Sequence, residues 1–234
     1  MEQAKVKTLE ESINHSQERR ASSPYLLSFF YRATQYLSFP VIYTLFHIFL
    51  RVKITGLENL NGLNRPVIFV SNHVRFYDSF TLRLILKYEN LPIRPIGATR
   101  FKWKMLTFLY SIGIIPLAYL IFGVITASGE GDSRVKKACE AIERGDSVYL
   151  HPEGTINKSG NIGEFRTGSC VIAQNTGAVI LPIVFGYNNS NKYIRPKLKI
   201  VIGEKFYATE YGTPDHATEK LREEVKILYN KIND

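Results

Sequence analysis

The stretch Val67-Ile-Phe-Val70, followed by Asn72-His73-Val74-Arg75-Phe76-Tyr77-Asp78, decides the fold. Four apolar residues in a row read as a strand buried on both faces. The polar heptad after them reads as a loop. Ser79 to Tyr88 then reads as a helix, with Asp78 or Ser79 available as its N-cap. The same order recurs downstream. Arg134 to Arg144 has helical character and stops at Gly145. Ser147-Val-Tyr-Leu150 is a second buried strand, and it runs into His151-Pro152-Glu153-Gly154-Thr155.

Further elements extend the pattern on both sides. Arg51 to Thr55 alternates like a strand and ends at Gly56. A helix is expected from Gly168 to Gln174, strands at Ala178 to Phe185 and Leu198 to Ile202, and a closing amphipathic helix from Thr218 to Ile232. Strands alternating with helices predict an α/β domain with a mostly parallel central sheet flanked by helices. The expected division is 1–50 as a polar lead with membrane-associating helices, and 51–234 as the domain that carries the chemistry.

The 234 residues are 45% hydrophobic, enough for a sizeable core. The formal charge is +9 and the pI about 9.4. Such a surface attracts nucleic acid or anionic lipid. The aromatics lie in apolar runs rather than among basic residues, which favours lipid and disfavours a nucleic-acid partner. The two cysteines, Cys139 and Cys170, make neither a metal spacing nor a disulfide framework and fit a reducing compartment. Cys170 is expected as a small buried residue on a helix.

Two apolar runs bear on the membrane. Tyr25 to Leu50 carries one charge, Arg32, and is expected to break at Pro40 into two short helices. As a helix, Tyr36 to Leu50 would reach ~23 Å, short of a ~30 Å hydrocarbon core. An interfacial hairpin is favoured over a span, with a buried helical pair as the alternative. Met105 to Gly129 has no Asp, Glu, Lys or Arg, but Gly113, Pro116 and Gly123 divide it. His73 precedes this run and Glu153 follows it, so a single crossing would separate them. The run is therefore expected as core helix, buried strand and a membrane-dipping or acyl-binding element.

His73 and Asp78 are the first chemical pair. Imidazole suits proton abstraction near neutral pH, and a carboxylate beside it can fix its tautomer. The spacing does not stack on one helix face, but a loop entering a helix can join the two. Glu153, Gly154 and Thr155 form a second polar loop at a strand end, where open α/β sheets bind ligands. No Gly-x-Ser-x-Gly elbow and no complete dinucleotide fingerprint is present.

These blocks resemble the glycerolipid acyltransferase family, which includes lysophosphatidic acid acyltransferases. That family is marked by Asn-His-x4-Asp and, later, Phe-Pro-Glu-Gly-Thr-Arg. Gly56-Leu-Glu-Asn59, Phe165-Arg166-Thr-Gly168, Ile180-Leu-Pro182-Ile-Val and Val201-Ile-Gly203 resemble its other blocks, so the likeness runs from about Arg51 to the C-terminus. It implies an O-acyltransferase on the cytoplasmic face of a membrane, working in phospholipid synthesis. His73 would be general base and Asp78 its partner. The donor would be a thioester of acyl-carrier protein or coenzyme A, with no further cofactor and no metal. Glu153, Gly154 and Thr155 would match the acceptor-binding motif, and Arg166 is added as a phosphate contact.

Three positions depart from the family. Ile156 stands where Arg follows Thr, no Arg occurs between Phe101 and Ser133, and His151 replaces Phe. Both absent arginines would contact phosphate. Lys102, Lys104, Lys158 or Arg166 could compensate, or the acceptor lacks a phosphomonoester. A catalytically silent lipid-binding homologue is the rival from another class.

Overall fold

The computed structural model describes residues 29–63, 66–75, 77–82, 92–98, 104–126, 131–188 and 196–233. The expected polar lead, most of the helix through Tyr88, and Lys102 lie outside them. A helix, α1, covers 29–49. It leads into β1 (Arg51–Thr55), a 3-10 turn (Leu57–Leu60), β2 (Val67–Ser71) and α2 (Asp78–Thr81). Then come β3 (Ile93–Pro95), α3 (Lys104–Ser111), α4 (Ile114–Phe122), α5 (Gly131–Glu143) and β4 (Ser147–Leu150). The chain closes with α6 (Gly168–Thr176), β5 (Val179–Asn188), β6 (Lys197–Ile202) and α7 (Pro214–Asn233).

The six strands form one sheet in the order β1-β6-β5-β2-β4-β3. Every neighbouring pair is parallel except β5 with β6, so the expected mostly parallel α/β sheet is observed. All five residues of β2 are buried, and they divide by parity. Ile68 and Val70 join the core under α5, α6 and α7, while Val67 and Phe69 join the core capped by Leu50 and Leu82. Each such side chain contributes about 1.5–3 kcal/mol on burial. Ile68→Ala would cost about 2–5 kcal/mol. Gly56 has φ +82, and a Cβ there would lie 2.1 Å from the Ile202 carbonyl oxygen, so β1 can dock on β6 only with glycine at this turn.

Two expectations are corrected. Residues 29–49 form one continuous helix through Pro40 rather than two meeting there. Tertiary bonds anchor the N-terminal half and outweigh the local cost of Pro. Gln35 exchanges bonds with the Ile93 backbone at 2.7 and 2.9 Å, and Arg32 pairs with Asp146 at 2.5 Å. The run from Met105 is not core helix: neither α3 nor α4 buries any residue, and the two bend by 76°. Among its described residues, the one strand-like position is Ile125, which bridges Ile96 and is buried. Among the described residues no single helix is long and apolar enough to cross a membrane; α3 and α4 together have the length and apolar composition, as a bent pair.

Candidate active site

β2 and β4 run side by side in parallel, with Val70 opposite Leu150. Their C-terminal ends therefore release the two polar loops next to each other. Asn72 fixes the first loop: its amide donates to the Phe185 carbonyl at 2.9 Å and accepts from the Phe185 amide at 2.8 Å. This two-way bond takes the place of one more rung of sheet, beyond the last residue of β2.

His73 then turns its Nδ1 to Asp78 Oδ2 at 3.1 Å. Asp78 is fully buried and is the first residue of α2 rather than its cap. Its Oδ2 also accepts the Val74 and Arg75 amides at 2.7 and 2.8 Å, and its Oδ1 accepts the Tyr187 hydroxyl at 2.7 Å. The carboxylate is thus immobile and saturated with donors. Since Asp78 can only accept, His73 carries its proton on Nδ1 and leaves Nε2 as the free base. The His73 side chain keeps 18% of its surface exposed, enough to meet a reactant. Burial, then the Asp78 charge, holds the Tyr187 hydroxyl far above its ordinary range, so it remains a donor.

The second loop grips the first. Glu153 is buried and accepts the His73 amide at 3.2 Å, the Asn157 side chain at 2.7 Å and the Gly163 amide at 3.1 Å. Asn157 returns the contact, its amide reaching the His73 carbonyl at 2.6 Å. Gly154 has φ +65, and a Cβ would lie 2.9 Å from the Arg166 guanidinium, which passes over it. The Gly154 amide is taken by the His151 carbonyl at 3.0 Å. Thr155 and Arg166 are exposed beside it. A pocket of about 300 Å³ opens next to the paired loops, walled in part by Asn72, Val74, Arg75, Glu153, Asn157 and Lys158.

The structure therefore brings His73, Asp78 and Glu153 into one bonded group, with Gly154, Thr155 and Arg166 at its rim. Sequence reasoning missed Asn157 and Tyr187. Asn157 lies four residues after Glu153, and that proximity is the only signal it offered. Tyr187 reaches Asp78 from β5 across 109 positions and offered none. Among the described residues no cluster of His, Cys, Asp and Glu is arranged to hold a metal. Cys170 is buried in α6 and Cys139 half-buried in α5.

The arrangement can take a proton at His73 Nε2 and stabilise the resulting imidazolium through Asp78. Residues 51–186 match the model of the family described as Acyltransferase. The chain is 34% identical over 140 residues to the chloroplastic 1-acyl-sn-glycerol-3-phosphate acyltransferase of Arabidopsis thaliana, covering 58% of this chain and 36% of that protein. It is 28% identical over 150 residues to the 1-acyl-sn-glycerol-3-phosphate acyltransferase of Borreliella burgdorferi, covering 62% and 55%. The matches thus span about a third to a half of these relatives. In structure it is similar to the 1-acyl-sn-glycerophosphate acyltransferase of Thermotoga maritima, with TM-score 0.60, 20% identity, and coverage of 92% of this chain and 83% of that one. That likeness concerns the fold.

Proposed function

The chain belongs to the Acyltransferase family, and from that premise we propose that it moves a fatty acyl group from a thioester to the hydroxyl of a lysophosphatidic-acid-like lipid. The observation that carries the reading is the His73–Asp78 pair, in which Nδ1 is tied to the carboxylate and Nε2 is left as the unprotonated nitrogen. His73 Nε2 takes the proton of the acceptor hydroxyl as its oxygen attacks the thioester carbonyl. The tetrahedral oxyanion collapses, the carbon–sulfur bond breaks, and the imidazolium returns its proton to the thiolate. An ester and a free thiol leave. General-base catalysis of this kind contributes about 10²- to 10⁴-fold. Asp78 acts by orientation and charge.

The acceptor headgroup occupies the pocket beside the loops, where Arg75 and Lys158 supply positive charge. Arg166, exposed over Gly154 outside the pocket wall, stands in for the absent family arginines, with Thr155 beside it. Glu153 serves by joining the two loops, because its oxygens are already engaged. The donor is a thioester of acyl-carrier protein or coenzyme A. Residues 1–50 and the exposed apolar faces of α1, α3 and α4 hold the enzyme on the cytoplasmic face of a membrane. Leu37, Val41, Phe49, Met105, Phe108 and Leu117 are each more than half exposed, which supports that surface.

A screen of lysolipid acceptors against both thioester donors tests the proposal. Ester formation on lysophosphatidic acid is the expected result. No transfer to any lysolipid from either donor would leave the silent lipid-binding reading in its place.

A further inference from the structure

His151 stands where the resembling family has Phe, and its ring lies flat on that of His73. The centroids are 3.9 Å apart and the planes differ by 8°. The bonds around His151 fix its protonation. Ser71 Oγ donates its hydrogen to the Asn72 carbonyl at 2.9 Å, so at the 2.6 Å contact Tyr149 is the donor and Ser71 Oγ accepts. His151 Nδ1 then faces three acceptors: Ser71 Oγ at 3.1 Å, the Ser71 carbonyl at 3.3 Å and the Asn72 carbonyl at 3.1 Å. Nδ1 must carry the proton. Nε2 is enclosed and has no partner among the described residues.

We propose that His151 is a positioning residue for the His73 base: a ring locked in its neutral Nδ1–H form, whose face holds the His73 ring in plane and stacks on the imidazolium formed during transfer. The inference rests on His73 being the base. A neutral aromatic face favours a cation above it. A second charged ring at this distance would oppose one. Burial and the neighbouring His73 together lower the His151 pKa to about 3, so it stays neutral when His73 is protonated. The other groups facing the pair are Asp78, which carries charge and is fixed by its donors, and the Tyr149 and Tyr187 hydroxyls, both held above their ordinary range. Glu153 reaches the His73 amide, not its ring. The contacts from Nδ1 to the Ser71 and Asn72 carbonyls also tie β4 to the two residues that precede His73.

The test compares three variants of the full chain. His151→Phe keeps the face and loses the donor. His151→Gln keeps a donor and loses the face. His151→Ala loses both. Displacement of a catalytic group by about an ångström costs on the order of 10²-fold. The account expects Gln and Ala to lose about 10- to 100-fold in kcat with less than about twofold change in acceptor KM, and Phe to stay within about threefold of the parent. The acid limb of kcat/KM should report one proton in both the parent and the Phe variant. Phe falling as far as Gln, Gln keeping parental kcat, or a two-proton limb that becomes one in the Phe variant would each overturn the proposal. Should the Ala variant not fold, the Phe and Gln pair decides. Absence of any transfer by the parent protein would instead defeat the acyltransferase reading.

Discussion

The backbone amide of His73 donates to Oε1 of Glu153 across 3.2 Å, so two motifs 80 positions apart share a hydrogen bond. Their joint appearance in the sequence thus has a mechanical meaning. The second loop sets the backbone on which the base is mounted.

Glu153→Ala should therefore damage stability and turnover together. It strands three donors: the His73 amide, the Gly163 amide and the Asn157 side chain. Leaving a buried donor unpaired costs about 1–3 kcal/mol. Glu153→Gln keeps one of the two accepting oxygens and should fall between the parent and Ala. Urea midpoints and turnover, measured on the same preparations, check the ranking.

The His151 ring also predicts how stability responds to acid. Its folded pKa, about 3, lies below the ordinary histidine value of 6.5. Between those values the unfolded chain binds a proton that the folded chain refuses. Stability contributed by neutral His151 is full above about pH 6.5 and is lost as pH falls, by at most about 1.4 kcal/mol per unit. Thermal melts from pH 7 to 4 should show His151→Phe losing less than the parent. Parallel curves would contradict this.

Membrane attachment is expected to depend on the open face of α1. Leu37 and Val41 stand one turn apart there, 77% and 58% exposed. Replacing both with Glu should lower partitioning to anionic vesicles by roughly tenfold or more, since each buried apolar side chain is worth about 1.5–3 kcal/mol. The melting temperature should hold, because the anchoring contacts of Tyr31, Arg32 and Gln35 lie elsewhere on the helix. Unchanged vesicle binding would shift the weight to α3 and α4.

The central strands and the β1 edge could be read directly from sequence, and the β3 edge could not. β2 and β4 are continuous apolar runs because sheet and helices cover both their faces. β3 has three residues, one of them Pro95, and at the sheet edge it leaves no pattern to detect. Pro40 misled for another reason: its cost is local, while the bonds that hold α1 are made to Ile93 and Asp146. At the site, the resemblance to a family motif pointed to His73 and Asp78, but the stacking of His151 depends on the register of two strands.

The acceptor can be probed in two directions. Arg166→Ala should raise KM for a phosphate-bearing lysolipid more than for a neutral one. Each lost charge-assisted bond is worth about 1.5–3 kcal/mol. Ile156→Arg should improve use of the phosphate-bearing lipid. If a neutral or zwitterionic lysolipid is acylated much faster than lysophosphatidic acid, the acceptor assignment fails while acyl transfer stands.

The most direct measurement is turnover of acyl thioester with lysophosphatidic acid by the His73→Ala protein. The backbone bonds from His73 to Glu153 and Asn157 do not depend on its side chain, so the variant should fold and bind vesicles like the parent. Asp78→Asn, which disturbs orientation but keeps the base, should retain more activity. The account predicts loss of transfer in His73→Ala by at least about 10²-fold. Near-parental turnover from that folded, membrane-bound variant would contradict it.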